Sequence, residues 1–301
     1  MQTPANSTVP IGRFAPSPSG PLHFGSLVAA VGSYLNVKRA GGLWLVRMED
    51  VDTPRSVKGA DGAILRALER YGLAWDGEVL YQSRRIEAYR EALAVLQSQG
   101  LLYACDCSRR ILAEQGLLSA PYPGLCRHRR IDKNKPHAIR LRVEERTVTF
   151  NDGVYGSVSQ NLKESAGDFV LLRADGIFAY QLAVVVDDAW QGVSEVVRGG
   201  DLLESTPRQI YLQGLLGYPL PCYAHLPLAL GPDGQKLSKQ NLAKALDEKN
   251  PSDPLWRSLG FLGLNPPEAL RYAPPQEQLE WALAHWTLEC VPARDAFVVN
   301  P

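Results

Sequence analysis

The chain has no surplus of charge of either sign: 32 Lys plus Arg face 32 Asp plus Glu. That balance excludes a protein that coats nucleic acid indiscriminately, which needs a basic excess. A local basic face stays compatible with it. No apolar run approaches the roughly 18 residues that span a bilayer, and residues 182–186, as long as any, read as a buried strand. Residues 1–10 are polar and lack the apolar stretch of a secretory signal. The sequence has no G-x-x-x-x-G-K-[ST] loop, which excludes a P-loop enzyme. Disulfide arithmetic fails as well, because five cysteines is an odd count. Three of them, Cys105, Cys107 and Cys126, crowd into 22 positions, which points to metal binding in a reducing cytoplasm. Cys222 and Cys290 are expected in the core. No membrane contact and no protein partner is implied.

What is present suffices for a full core: 301 residues, 45% of them hydrophobic, in one large or two moderate domains. Residues 9–14 predict a short strand, and residues 15–21 a Pro/Gly turn. A helix follows from about Gly25, with Leu27, Val31, Tyr34 and Leu35 on its apolar face. Lys38 and Arg39 suit its C-terminal dipole, and Gly41 its C-cap. Leu43–Met48 then reads as a strand apolar on both faces apart from Arg47, as in a covered parallel sheet. Together these make a βαβ unit. Further helices are expected over 60–71 and 86–99.

The composition changes near Cys105. Residues 105–165 hold the cysteine cluster, a basic stretch and hairpin signals at 138–143 and 148–150, with a turn at Asn151-Asp152-Gly153. Buried-strand character returns at 169–173 and 180–187. The expected fold class is α/β. A Rossmann-like parallel domain in two halves, 1–104 and 166–225, is interrupted by an inserted module at 105–165. A final segment, 226–301, reads as helical and proline-punctuated from about Leu242.

Two elements suit a nucleotide. Pro16-Ser17-Pro18-Ser19-Gly20-Pro21-Leu22-His23-Phe24-Gly25-Ser26 joins the first strand to the first helix. Its glycines let backbone N–H groups approach an anion, and a helix N-terminus favours negative charge. Alone it is equally an ordinary turn with a surface histidine. The second, Lys236-Leu237-Ser238-Lys239-Gln240, places two lysines where both can reach a polyphosphate. Alone it is equally a solvated loop.

In combination they resemble the HIGH and KMSKS motifs of class I aminoacyl-tRNA synthetases. Gly12-Arg13-Phe14-Ala15-Pro16-Ser17-Pro18, Arg47-Met48-Glu49-Asp50, Ala183-Val184-Val185-Val186-Asp187-Asp188, Val197-Arg198-Gly199, Thr206-Pro207-Arg208-Gln209 and His225-Leu226-Pro227-Leu228 narrow the resemblance to the glutamyl branch, over residues 10 to about 245. Ser26 departs from it, standing where the family motif often ends in histidine. The resemblance implies activation of L-glutamate by ATP with Mg²⁺. Arg13, Tyr180 and Arg198 are then expected at the glutamate carboxylates, with Ala15, Ser17 and Glu49 near the ammonium. His23, Gly25, Ser26, Gly199, Asp201, Lys236 and Lys239 are expected at ATP. The nucleophile is an ionised carboxylate, so the task is alignment and charge neutralisation, and no general base is needed. This accounts for the absence of a Ser/His/Asp or Cys/His constellation.

Spacing alone leaves zinc and three free thiols equally open for the cysteines. The pattern Cys105-x-Cys107, Tyr122, Cys126 resembles the zinc site of a short member of the branch, with His128 as rival to Tyr122 for the fourth position. Residues 127–146 carry eight Lys plus Arg and three Asp plus Glu, suited to RNA phosphates or simply to a solvated face. Only 61 residues follow Gln240, too few for a second helical module that reads the anticodon. The short members of the branch attach glutamate to queuosine in the anticodon loop of tRNA(Asp), and the resemblance implies that partner. A truncated enzyme charging a tRNA 3′ end, or a non-catalytic RNA- or amino-acid-binding paralogue, are the alternatives.

Overall fold

The computed structural model describes residues 9–132, 134–231, 234, 244–247, 249–293 and 296–298. The first βαβ unit is β1 (Ile11–Phe14), α1 (Phe24–Arg39) and β2 (Leu43–Met48). Gly41 follows α1 at φ 70°, a left-handed position that closes the helix. Next come α2 (Ala60–Arg70), β3 (Leu80–Tyr81), α3 (Ile86–Ser98) and β4 (Leu102–Cys105). The middle of the chain holds α4 (Arg109–Glu114), β5 (Ala138–Leu141), β6 (Thr147–Asp152), β7 (Gly156–Asn161), α5 (Leu162–Ser165) and β8 (Phe169–Leu172). Then follow α6 (Tyr180–Trp190), β9 (Glu195–Gly199), α7 (Thr206–Leu216), β10 (Cys222–Leu226) and β11 (Leu228–Leu230). α8 (Ser252–Phe261), α9 (Pro275–His285) and β12 (Ala296–Val298) complete the described elements.

Seven strands form one sheet in the order β3-β2-β1-β9-β10-β6-β7. All neighbours are parallel except β6 and β7, which make an antiparallel hairpin at one edge. β4, β5 and β8 form a separate antiparallel sheet. β11 pairs in parallel with β12. Residues 105–165 are therefore divided between two sheets, because the β6–β7 hairpin extends the large one. The chain passes through Asn151 and Asp152 as strand, and the turn falls just after them.

One core lies where α1, α8 and α9 pack over the large sheet, around Leu27, Val31, Leu35, Trp44, Leu259 and Trp286. Trp44 donates its indole N–H to Ser33 Oγ at 3.0 Å, which removes the cost of burying it. A second core joins α3, α6 and α7 to the small sheet, around Tyr89, Leu96, Leu171, Leu182 and Leu212.

Two expectations are corrected. The run at 180–187 is helix α6, not a strand. Every residue from Leu182 to Asp188 is buried, so polar and apolar residues do not alternate with either period. Three consecutive valines then favour strand locally while tertiary packing selects helix. Cys222 and Cys290 are exposed rather than core residues. Each sits at the end of an element, the start of β10 and the close of a 3₁₀ turn at Leu288–Cys290.

The helical form of α6 carries a charge clamp. Asp188 accepts from Arg13 Nε at 3.0 Å and pairs with Arg47 Nη1 at 2.7 Å, joining β1, β2 and α6. Both arginines are at most 3% exposed. Replacing Asp188 by Asn strips two buried guanidinium groups of their counter-ion, at a cost of about 3–5 kcal/mol. Urea denaturation of the purified D188N protein measures it. A loss under about 1 kcal/mol contradicts the clamp's structural weight.

Candidate functional site

A cavity of about 630 Å³ opens at the carboxyl ends of β1, β2 and β9, where ligands bind in open parallel sheets. β1 and the turn after it supply Arg13, Ala15 and Ser17 to its wall. Glu49 follows β2, Tyr180 begins α6, and Arg198, Gly199 and Asp201 come from β9 and the turn beyond. All six residues expected at glutamate therefore line one cavity, with Gly199 and Asp201 beside them. His23, Gly25 and Ser26 lie outside this wall, at the start of α1. Lys236 and Lys239 lie outside the described residues.

His23 caps α1, its Nδ1 accepting the Ser26 N–H at 3.3 Å. An Nδ1 that accepts carries no proton, so in the neutral ring Nε2 is the donor. That tautomer suits donation to a phosphate oxygen at a helix N-terminus.

The cavity wall is electrostatically divided. Arg13 Nε and Nη2 are held by Asp188, at 3.0 and 3.3 Å. Burial opposes ionisation of Asp188, but Arg13 and Arg47 outweigh it and hold its carboxyl below the usual range. Arg198 is different. It is 5% exposed, and its hydrogen bonds go to uncharged groups: His225 Nε2 at 3.1 Å, Thr206 Oγ1 at 2.8 Å and Tyr180 Oη at 3.4 Å. Among the described residues no carboxylate pairs with it. Glu49 is its complement. Its Oε1 is buried without a hydrogen bond, and the nearest cation, Arg47 Nη2, is 3.6 Å away. Burial pushes the Glu49 carboxyl up to about 7, against the opposing pull of Arg47 and Arg13. The cavity thus offers a buried cation and a half-buried carboxylate with one buried oxygen, each incompletely matched by protein. A zwitterion with an extra carboxylate satisfies both.

Four contributors were given no site role in the sequence reading: Asp188, Thr206, His225 and Asp152. Two acids closing an apolar run, Asp187 and Asp188, were a usable signal, since buried carboxylates are almost always paired. His225 and Asp152 are 73 positions apart and gave none.

The cysteines converge too. The Sγ atoms of Cys105, Cys107 and Cys126 lie within 4.8 Å of one another. The Tyr122 hydroxyl is 3.3 Å from Cys105 Sγ and 3.4 Å from Cys107 Sγ. His128 is exposed and outside this group. A tetrahedral ion with ~2.3 Å bonds to sulfur needs sulfur–sulfur edges of ~3.8 Å, so the donor set fits a metal of zinc's size and softness. Arg140 lies 3.8 Å over the Tyr122 ring and donates to Cys105 Sγ at 3.3 Å, a cation placed to offset thiolate charge. Gly167, at φ 60°, admits the Tyr122 backbone so closely that any Cβ there would collide with it.

The basic stretch is less available than its composition suggests. Arg127 is bound to Asp168, Arg129 to Asp106, and Arg140 is buried. Arg130, Lys135 and Arg146 are exposed.

Comparison with known proteins gives a consistent picture. The family model for the catalytic domain of tRNA synthetases class I (E and Q) matches residues 11–272. A glutamyl-Q tRNA(Asp) synthetase of Dechloromonas aromatica is 56% identical over 96% of this chain and 98% of its own length. One from Thiobacillus denitrificans is 53% identical over 95% of this chain and 96% of its own length. The crystal structure of a glutamate-tRNA synthetase from Elizabethkingia anophelis superposes with TM-score 0.81 at 26% identity, covering 97% of this chain but 68% of that one.

The position of Glu49 is directly measurable. With ¹³C-labelled glutamate side chains, its carboxyl should titrate with a midpoint near 7, well above the ordinary carboxylate. A midpoint below 5 removes the under-paired acid from the description of the cavity.

Proposed function

The chain belongs to the tRNA synthetases class I (E and Q), and from that premise we propose that it activates L-glutamate with ATP and transfers it to queuosine in the anticodon loop of tRNA(Asp). The cavity supports the first step. Arg198, a buried cation lacking a carboxylate among the described residues, opposes Glu49, a half-buried acid with an unpartnered buried oxygen. In this reading Arg198 and Tyr180 take the side-chain carboxylate, Glu49 with Ser17 and Ala15 takes the ammonium, and Arg13 lies by the α-carboxylate. ATP, entering as its Mg²⁺ complex, spans His23, Gly25, Ser26, Gly199 and Asp201, with Lys236 and Lys239 on its phosphates. The α-carboxylate attacks the α-phosphorus and expels pyrophosphate. A hydroxyl of the cyclopentenediol ring of queuosine then attacks the acyl carbon, an ester bond forming as the acyl–phosphate bond breaks and AMP leaves.

Ammonium binding needs ionised Glu49. Since its carboxyl is raised to about 7, glutamate affinity should improve as pH rises through 7 and decline below it. The acceptor reading is supported by the relatives at 56% and 53% identity, both glutamyl-Q tRNA(Asp) synthetases. The chain aligns with 98% of the Dechloromonas relative and 68% of the glutamate-tRNA synthetase chain. In this reading the acceptor contacts come from residues 105–165, across both sheets, and 226–301 carry Lys236 and Lys239 with a helical stem-contact segment. Among the described residues no helix is long and apolar enough to cross a membrane, and cysteines grouped as thiols support a cytoplasmic setting.

Labelled glutamate and bulk tRNA test both steps. Pyrophosphate exchange should depend on glutamate and be far weaker with glutamine, which lacks the second negative charge. Label should enter queuosine-containing tRNA(Asp), survive enzymatic trimming of the 3′ terminal adenosine, and vanish for tRNA lacking queuosine. Loss of labelling on trimming assigns the 3′ end as acceptor and overturns this reading.

The metal is zinc in this proposal, held by Cys105, Cys107, Cys126 and Tyr122. It supplies a cross-link that orders the module around β4. Elemental analysis should find about one zinc per chain. Cys107→Ser should lose it and impair transfer to tRNA more than pyrophosphate exchange. Zinc-free protein that transfers normally contradicts the assignment.

A further inference from the structure

Arg198 cannot aim itself. A guanidinium without a carboxylate partner is held only by the geometry of its neutral neighbours, and the most constrained of these is His225. That ring is fully buried, with Nδ1 2.6 Å from Asp152 Oδ2, and Nε2 3.1 Å from both Arg198 Nε and Thr206 Oγ1. Arginine Nε–H can only donate, so Nε2 must accept and Nδ1 must carry the proton. Thr206 agrees with this assignment. Its hydroxyl accepts from Arg198 Nη2 and lies 3.2 Å from Leu202 O and 3.1 Å from His225 Nε2, and toward an unprotonated Nε2 it can act only as a donor.

We propose that Asp152 and His225 are positioning residues for glutamate: the Asp152 carboxylate fixes the His225 tautomer, and that tautomer orients the Arg198 guanidinium. Asp152 stands at the end of β6, outside the cavity wall. Its Oδ1 accepts three backbone N–H groups, from Val154 and Tyr155 at 3.0 Å and from His225 at 3.2 Å. These bonds pin the carboxylate so that only Oδ2 faces the ring. The hairpin β6–β7 thereby reaches the glutamate pocket through one imidazole. Burial keeps His225 from protonating, and the hydrogen bond to Asp152 only partly offsets that effect. Neutral His225 is the form that accepts from arginine.

The geometry makes Asp152→Asn informative. Three backbone donors require an oxygen at the Oδ1 position, so the asparagine amide must turn its NH₂ toward His225. The ring then accepts at Nδ1 and carries its proton on Nε2, where Nε2–H turns to Thr206 Oγ1 and Arg198 Nε–H faces a donor in place of its acceptor. The volume is unchanged. Only the direction of one hydrogen bond is reversed.

The inference rests on the cavity being the glutamate site, and its test separates the two. In ¹⁵N-histidine-labelled protein without substrates, His225 should be the Nδ1–H tautomer in the parent and Nε2–H in D152N. In pyrophosphate exchange, D152N should raise KM for glutamate by about tenfold or more, the weight of one buried hydrogen bond reversed. KM for ATP should stay unchanged. A second pair bypasses Asp152. His225→Gln keeps an acceptor near the Nε2 position and should retain glutamate affinity better than His225→Asn, which keeps only the Asp152 side. This pair decides the matter if D152N does not fold. An unflipped tautomer, equal rises in both KM values, or equal losses in the Gln and Asn variants overturns the proposal. Glutamate-independent exchange in the parent protein sinks the substrate reading instead, and leaves the tautomer result standing.

Discussion

The ion pair of Asp188 with Arg13 and Arg47 is the constraint on which the cavity depends. It ties the ends of two neighbouring strands to the helix that crosses above them. Without a shared carboxylate, two guanidinium groups at the mouth of β1 and β2 would repel each other in a region with almost no water. With it, their charge is largely spent inside the protein. That expenditure explains why Glu49, though next to Arg47, remains hard to ionise: burial outweighs cations already committed to Asp188. The selectivity of the pocket comes from what is left over. Arg198 keeps its charge because its neighbours are uncharged hydrogen-bonding groups.

This arrangement suits a reaction that needs little proton chemistry. A carboxylate nucleophile arrives ionised, so the protein has to bind, align and neutralise. The groups around the cavity do that. Arginines are fixed in direction by Asp188, His225 and Thr206. His23 is fixed in tautomer by the first turn of α1. Each holds its orientation before substrate arrives, which lowers the reorganisation required in the transition state.

Much of this was legible in the sequence, and the limits have physical causes. β2 was bounded to the residue, because its apolar run sits between a helix C-cap and an acidic pair. All the expected glutamate residues met in one cavity, because they lie where parallel strands end and chemistry collects. α6 was misread because a segment buried on every side shows no period. As a helix its rise is about 1.5 Å per residue instead of the strand's roughly 3.3 Å, which brings Tyr180 and Asp188 close enough to serve one cavity. The Asp152–His225 contact was invisible because β-sheet neighbours far apart in sequence leave no local trace. The availability of the basic stretch was overestimated for a similar reason. Asp168, distant in sequence, accepts both Arg127 Nε and the Val143 N–H.

Asp168 also shows why the cysteine module and the cavity are mechanically one system. It immediately precedes β8 and accepts from Tyr103, Arg127 and Val143, gathering β4 and the chain around the thiols. Its own N–H donates to Tyr122 O at 3.0 Å. β8 then leads directly to Arg173 and Phe178, which stand in the cavity wall. A displacement of Tyr122 therefore acts on Gly167, where no side-chain volume can be accommodated, and on the Asp168 N–H bound to its carbonyl. The far wall of the glutamate cavity is thus set by the same short strand that anchors the thiol cluster. The thiol cluster and the cavity wall share one short stretch of backbone, from Gly167 through β8 to Phe178.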